Sequence, residues 1–527
     1  MDAEEVLELD DIQGAIVPGF RKDRSLIIGL RIEDVAGCKA WLRIQSKEVA
    51  TAREVLTFNR LYKAMRVRRG GEAETAHVVW RSISFSAAGL KRLRPTDDQA
   101  AFDNKFVDGM FNDTLHDPAT VQWKLGSTDE TTPHILVVLA ADRSQDLDAA
   151  FKRLIKEIRA TSCRGKPALR LLGEVQPGAT LPAPLTGHEH FGFKDGVSQP
   201  AIRGRASTDS VDFIDPRQLA TTDPKFNHFA EPGRPLVWPG QFVIGYNRQL
   251  PNDPLKVRPA VVLTTLPWRK NGSYLVYRRL QQKVHLFWQF SENCAKEFSG
   301  ALSKSVTPVE FATRLVGRWP SGAPLMRAPN ADDATLAQDD SSNNNFQFTN
   351  PTPNVTLQDG MVASKKFPTP VADPFGRVCP FIAHIRKVNP RDDPTDPGGP
   401  SDTLRRLMLR RGIPYGPPQD PDKLLRDDGV DRGLLFMAYQ ASITDQFSFL
   451  TSTWVNAAGA PHDGEPQSGH DPLIGQQEGE RFIRMPIDDS DDHDLKLALP
   501  EDPWVVMTGG GYFFTPSISA LAGALAE

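Results

Sequence analysis

Apolar runs dense enough for buried strands alternate along this chain with segments of helical periodicity. In the first half, Ser25 to Ile32 (SLIIGLRI), Val78 to Phe85 (VVWRSISF) and His134 to Ala140 (HILVVLA) predict strands. Between them Glu33-Asp34 opens a helix carrying Ala36, Ala40, Trp41 and Ile44, and SAAGLKRL starts a short helix at a serine. Leu147, Phe151, Leu154, Ile155 and Ile158 form the apolar stripe of a longer helix. The second half has the same flavour. Gln241 to Tyr246, Ser273 to Leu280, Gly433 to Tyr439 and Tyr512 to Thr515 predict strands, and Val284 to Phe298 and Glu310 to Leu315 predict helices. Both halves carry strand–helix–strand modules of similar size, suited to antiparallel sheet, and there is no Gly-rich nucleotide loop. Asn330 to Asn354 and Arg391 to Ser401 are too polar to bury much surface and predict loops.

Composition narrows the class. A chain of 527 residues has room for two compact domains. With 39% hydrophobic and 24% charged residues it reads as globular, and its formal net charge of -4 gives no global basic field for nucleic acid. Cys38, Cys163, Cys294 and Cys379 lie far apart, without a CxxC or a CxxCH. Such sparse cysteines fit reduced thiols. The acidic start MDAEEVLELDDIQG lacks the apolar core of a secretory signal, and no stretch approaches a membrane span. The expected setting is cytoplasmic.

Three phrases carry candidate chemistry. In EHFGFKDGVSQP, Asp195 stands among close glycines, Gly192 and Gly196, with Phe193 between. That suits a functional acid, and equally an Asp capping a Gly-bounded turn. His384 ends the apolar run Cys379-Pro380-Phe381-Ile382-Ala383 and precedes Arg386 and Arg391. An imidazole so placed suits a buried haem, its nitrogen on iron and guanidiniums such as Arg386 on the propionates. A core histidine beside a basic turn is the alternative. In LRRGIPYG, one of Arg410 and Arg411 can enter a pocket while the other points away, or both are solvated. His188 and His190 form a His-x-His pair without an evident third ligand, and read as structural.

Together and in this order, EHFGFKDGVSQP, AHIRKVNPR and LRRGIPYG resemble the signatures of the dye-decolorising peroxidases, the DyP-type haem peroxidases. Asp11-Ile12-Gln13-Gly14 is similar to that family's opening. GLLFMAYQASITDQFSFLTSTWVN, Asp471 to Gln476 and Thr508 to Phe514 are similar to its closing stretch. The resemblance spans essentially the whole chain and favours the family's larger, long-looped members. It implies an α+β fold of two ferredoxin-like domains, here residues 1–205 and 206–527, with haem b held mainly by the second. It places His384 as the proximal iron ligand, Asp195 as the distal acid and Arg410 as the distal arginine, also against the haem, with Gly192, Phe193 and Gly196 letting the backbone approach the flat macrocycle. Gly412 stands where certain members place a distal asparagine. The implied activity is H2O2-dependent one-electron oxidation of dyes and phenols, by a monomer or homodimer that binds neither nucleic acid nor membrane. The alternative is a haem-handling protein with little turnover. Asp195 would move a proton between the two peroxide oxygens and Arg410 would stabilise the charge on the leaving one. An aspartate stays ionised in acid, so an acidic optimum is expected. For the hydrogen-bond partner of His384 the sequence suggests Asp445, and for relays to bulky reductants at the surface it suggests Tyr415 and Trp454.

Overall fold

A computed structural model describes residues 4–69, 77–118, 123–162, 167–217, 229–230, 233–250, 253–258, 265–339, 342–351, 355–356, 362–363, 367, 369–395, 398–462, 467–477, 479–488 and 494–527. Cys163 and parts of both expected loops, 340–341, 352–354 and 396–397, lie outside the described residues.

In the first half, strand β1 (Arg24–Ile32) leads into helix α1 (Val35–Gln45), started by the Asp34 carboxylate accepting the Gly37 N–H. Helix α2 (Ala52–Arg69) follows, then β2 (Trp80–Phe85) and α3 (Ala87–Leu93), whose N-cap is Ser86. Strand β3 (Ile135–Ala141), helix α4 (Ser144–Ala160) and short strands β4 (Leu169–Leu171) and β5 (Gln176–Ala179) complete this half. The second half is built on β6 (Ser273–Gln282), α5 (Val284–Leu302) and α6 (Pro308–Val316). A one-turn helix α7 (His384–Lys387) and α8 (Pro400–Arg406) precede β7 (Leu409–Arg410) and β8 (Ile413–Tyr415). The last elements are β9 (Gly433–Gln440), β10 (Val505–Thr515) and α9 (Ile518–Ala522).

These are two ferredoxin-like α+β halves, and their strands join in one ten-stranded antiparallel sheet. Its order is β7-β9-β6-β10-β2-β3-β1-β4, with β8 also on β9 and β5 also on β1. At the far ends β5 and β8 approach each other. A Cβ on Gly178 would stand 2.4 Å from the Ile413 methyl, so only glycine lets the strands come this close. Period-two alternation splits the core between the two faces. Ile28, Leu30, Val137 and Val276 pack under the helices. Ile27, Leu136, Val138, Leu275 and Tyr277 face the N-terminal residues Leu7 to Val17.

Two expectations need correction. Gln241 to Tyr246 is not a strand: a 3-10 turn (Pro239–Gln241) and further turns occupy it, because Pro239-Gly240 and Gly245 break an extended run. On α1 the buried face is Gly37, Cys38, Trp41, Leu42 and Gln45, leaving Ile44 exposed. The true stripe therefore runs one residue away from the alanines, because the small Gly37 and Cys38 let the helix pack closely.

The seam between the halves is narrow. β2 and β10 are paired through Phe85 and Phe514. Gln13, fully buried, reinforces the seam from the side. Its amide donates to the Ile83 carbonyl (3.0 Å) and the Pro516 carbonyl (2.8 Å), and its oxygen accepts from Ser82 Oγ and the Ile83 N–H. The Ser84 and Thr515 hydroxyls bond across the same line at 2.7 Å. Gln13→Leu strips four buried hydrogen bonds and leaves their partners unsatisfied. Chemical denaturation is expected to show a loss of about 3 kcal/mol. A midpoint equal to the parent's would remove Gln13 from the seam.

Candidate active site

The segment after β5 crosses back over the C-terminal strands and carries the GFKDG phrase. Gly192 and Gly196 take φ of 95° and 75°, a backbone conformation costly for any residue with a Cβ. The fold thus needs glycine at both. Phe191 and Phe193 plug the segment into an aromatic cluster: Phe191 stacks on Phe287 at 4.4 Å, and Phe193 on Trp288 at 6.4 Å. His190 Nε2 donates to the Tyr415 carbonyl at 2.8 Å. The Glu189 carboxylate accepts from the Phe191 N–H (2.8 Å), the Phe193 N–H (2.9 Å) and the Gln282 amide.

So held, Asp195 meets Arg410. Arg410 Nη1 lies 3.1 Å from Asp195 Oδ1, and its Nη2 donates to the Ser198 carbonyl at 2.9 Å. The Gly196 N–H donates to the same carboxylate oxygen at 2.6 Å. Gln199 clips on with both amide atoms, one to each backbone polar group of Arg410. Because β7 is extended, Arg410 and Arg411 leave it in opposite directions. Arg411 turns away and donates to the Ala15 and Ile16 carbonyls.

Asp195, Gly196, Phe193, Arg410 and His384 all line one cavity of about 300 Å³. His384 begins α7, with Ile382 and Ala383 buried before it. Its Nδ1 lies 2.8 Å from Asp471 Oδ2. The other Asp471 oxygen accepts the Leu473 and Ile474 N–H groups, each at 2.9 Å. Burial alone would raise the Asp471 carboxyl. His384 beside it and those two N–H groups outweigh burial and hold it below the ordinary carboxylate range. An ionised Asp471 can only accept, so His384 donates from Nδ1 and keeps Nε2 as a lone-pair donor on the cavity side. Lys387, three residues on, gives its ammonium protons to the carbonyls of Ala457 (3.0 Å), Gly469 (2.7 Å) and Ala460, tying α7 to the loop that delivers Asp471.

Several expectations are corrected here. Asp445 is not the partner of His384. Its backbone N–H is capped by Ser442 and its carboxylate lies 3.5 Å from Arg248. Asp471 takes that place, and its phrase DPLIGQ was legible, but nothing local tied it to a histidine 87 residues earlier. Arg386 does not line the cavity. It is wholly buried, pairs with Asp393 (2.7 and 2.8 Å) and Asp373 (3.1 Å), and sits between the rings of Phe348 and Phe381. Gly192 shapes the turn without touching the cavity. Tyr415 and Trp454 are buried at 6% and 0% exposure and are absent from the cavity wall. Tyr415 donates its hydroxyl to Asp431. His188 and His190 hold no metal cluster among the described residues.

Besides Arg410, the arginines that reach the wall are Arg278, paired there with Asp117, and Arg318 and Arg391. Arg318 donates to the Gly322 and Asn343 carbonyls and to Asn344 Oδ1. Arg391 donates to the Asn344 and Phe346 carbonyls and to Asn344 Oδ1. Burial lowers them to about 9 and about 10, still charged at neutral pH. Among the described residues their hydrogen-bond partners are neutral oxygens. With Arg410 they make a cationic stretch of wall that suits an anionic guest, and the rest of the lining combines apolar side chains such as Leu280, Ile385, Phe436 and Val455 with polar ones such as Asp117, Lys194, Asn389 and Gln476. An apolar slot, an imidazole with a free nitrogen and paired arginines fit an iron porphyrin with its carboxylates.

Arg386→Leu would strand Asp373 and Asp393 without a counter-cation. A loss of about 3–5 kcal/mol in folding stability is expected by calorimetry. Retention of the parent melting temperature would return Arg386 to the candidates for direct cofactor contact.

Residues 11–177 match the DyP dimeric alpha+beta barrel domain, and residues 307–464 match the Dyp-type peroxidase C-terminal domain. The dye-decolorizing peroxidase msp1 of Mycetinis scorodonius is 32% identical over 98% of this chain and 87% of its own length. An ancestral D-type dye decolorizing peroxidase superimposes with a TM-score of 0.76 at 31% identity, covering 99% of this chain and all of that one. A dye-decolorizing peroxidase in complex with 2,6-dimethoxyphenol gives 0.72 at 28% identity, with the same coverage. The chain belongs to the dye-decolorising peroxidases, and its cofactor is haem b.

Proposed function

We propose that this chain oxidises phenols and bulky dyes with H2O2 by one-electron steps, through a distal Asp195–Arg410 pair and a proximal His384–Asp471 pair. The observation that carries the reading is that Asp195, Arg410 and His384 line one cavity with a cationic wall, Asp471 holding His384 from behind it. His384 would hold the haem iron through Nε2, and Arg318, Arg391 and Arg410 would meet the propionates. Bound haem supplies the redox chemistry with peroxide. The rest is done by side chains. Asp195 accepts the proton of one peroxide oxygen and returns it to the other. Arg410 fixes the Asp195 carboxylate at 3.1 Å and offers positive charge where the leaving oxygen turns anionic. Ionised Asp471 keeps His384 in the tautomer that leaves Nε2 free and raises its basicity. An aspartate base works in acid, so the optimum lies at acidic pH. The relative solved with 2,6-dimethoxyphenol supports a phenolic reductant.

A haem-handling role without turnover would use the same His384, yet it has no need of an acid–arginine pair. Three buried free cysteines, Cys38, Cys294 and Cys379, support a reducing compartment as its setting.

Asp195→Asn and Arg410→Leu are expected to keep the haem absorption band but to lose roughly 10²–10⁴-fold in the rate of the spectral change on adding H2O2. His384→Ala is expected to lose the native haem spectrum. A full-rate Asp195→Asn protein would end Asp195's role as base. Asp471→Asn removes the anionic partner of His384, and potentiometry should find a higher iron reduction potential. An unchanged potential would break the proximal assignment.

A further inference from the structure

Of the chain's tryptophans, Trp80, Trp268 and Trp288 are partly exposed and the others are buried. Among the described residues Trp288 is the one of the three that stacks on a ring of the cavity wall. Phe193 lines the cavity beside Asp195 and lies nearly parallel to the Trp288 indole, with planes 14° apart and centroids 6.4 Å apart. The ring partners of Trp80, Phe20 and Phe58, and those of Trp268, Phe102 and Phe514, stand away from that wall. We propose that Trp288 is a surface oxidation site. It passes electrons through Phe193 to the cavity and takes them from aromatic reductants too bulky to enter. The inference rests on the peroxidase reading.

Helix α5 sets the position. Val284, Phe287 and Ser291 form its buried face, and Trp288, one residue round, stands at the edge of that face. Phe193 is fixed from the other side. Its N–H donates to Glu189 at 2.9 Å, and its ring meets Phe287 edge-on at 6.3 Å. The turn that presents Asp195 therefore also sets the ring that bridges to Trp288. Next along the helix, the Gln289 amide donates to the Leu425 carbonyl at 2.8 Å and leaves the Leu425 side chain exposed. A flat aromatic dye thus finds apolar surface on the same turn of helix.

One electron leaves the Trp288 ring for the haem that peroxide has oxidised, and the indole becomes a radical cation. A phenolic dye at the surface then gives one electron to the ring, loses its proton to water and is the species oxidised. No bond of Trp288 breaks. Among the described residues the buried Trp288 indole N–H has no hydrogen-bond partner. The proton therefore stays on nitrogen, and the ring remains the cation, a stronger oxidant than the deprotonated radical. The parallel face of Phe193 offers the negative side of its quadrupole to that charge. The other two candidates lack this setting. The Trp268 N–H donates to Asp97 at 3.0 Å, a ready proton acceptor, and Trp80 has the Lys22 ammonium 6.0 Å from its ring, which opposes a second positive charge.

Haem-loaded protein frozen after mixing with H2O2, without reductant, is expected to show a tryptophan radical by electron paramagnetic resonance. Spin trapping and peptide mass spectrometry should place the adduct on Trp288. Trp288→Phe should lose both signals, and Trp80→Phe, Trp268→Phe and Trp454→Phe should keep them. Phe193→Leu, which retains Trp288 but removes the bridging ring, should lose them as well. Trp288→Phe should also lose most of its turnover of an anthraquinone dye, measured against its own rate of spectral change with H2O2. A tryptophan radical that persists in Trp288→Phe, an adduct on another residue, or undiminished dye turnover in that variant overturns the relay. So does a parent that reacts with peroxide and forms no tryptophan radical. A parent that does not react with peroxide at all overturns the peroxidase reading instead.

Discussion

The active site depends on how the segment between the two halves of the sheet is tied down. Residues 187–199 leave β5 and must return across strands that come more than 70 residues later. Glu189 binds Gln282, His190 binds the Tyr415 carbonyl, and Asp195, Ser198 and Gln199 all bind Arg410. Phe191 and Phe193 add apolar anchorage. Each single bond is worth little, but several anchors on one segment share the entropy of ordering it. Without them Asp195 would sit on a glycine-rich turn free to sample many conformations.

The same logic sets the proximal side. Asp471 is wholly buried and would be costly alone. It is stable because two backbone N–H groups and His384 surround it, and because Lys387 anchors α7 to the loop before it. A carboxylate fixed in this way fixes a histidine tautomer. The arginines divide the remaining work by burial. Arg386 neutralises two acids inside the protein and holds the segment around His384 in shape, whereas Arg318 and Arg391 keep their charge facing a cavity.

Local pattern was a good guide wherever a short window contains the physics. The strands at Arg24–Ile32, Ile135–Ala141, Ser273–Gln282 and Gly433–Gln440 are continuous apolar runs, and each formed as expected. Ser86 capped its helix because a hydroxyl one turn from an N–H is a local matter. The window failed at Gln241 to Tyr246, where apolar side chains bury on turns rather than on a strand. It also missed α2, whose polar outer face and Arg-rich end hide its periodicity.

The amino-acid sequence by itself determined the family, the alternation of strands and helices, and the three residues on which the chemistry was first hung, Asp195, His384 and Arg410. Those features are written in phrases a few residues long. Only the tertiary structure decided which groups stand next to them. Asp471 rather than Asp445 meets His384, Arg318 and Arg391 rather than Arg386 face the cavity, and Phe193 of the cavity wall lies against Trp288. These are contacts between residues far apart in the chain, set by sheet register and by which side of a strand a residue occupies. Neither leaves a mark in a local pattern, which is why arginines and carboxylates so similar in sequence end with such different work.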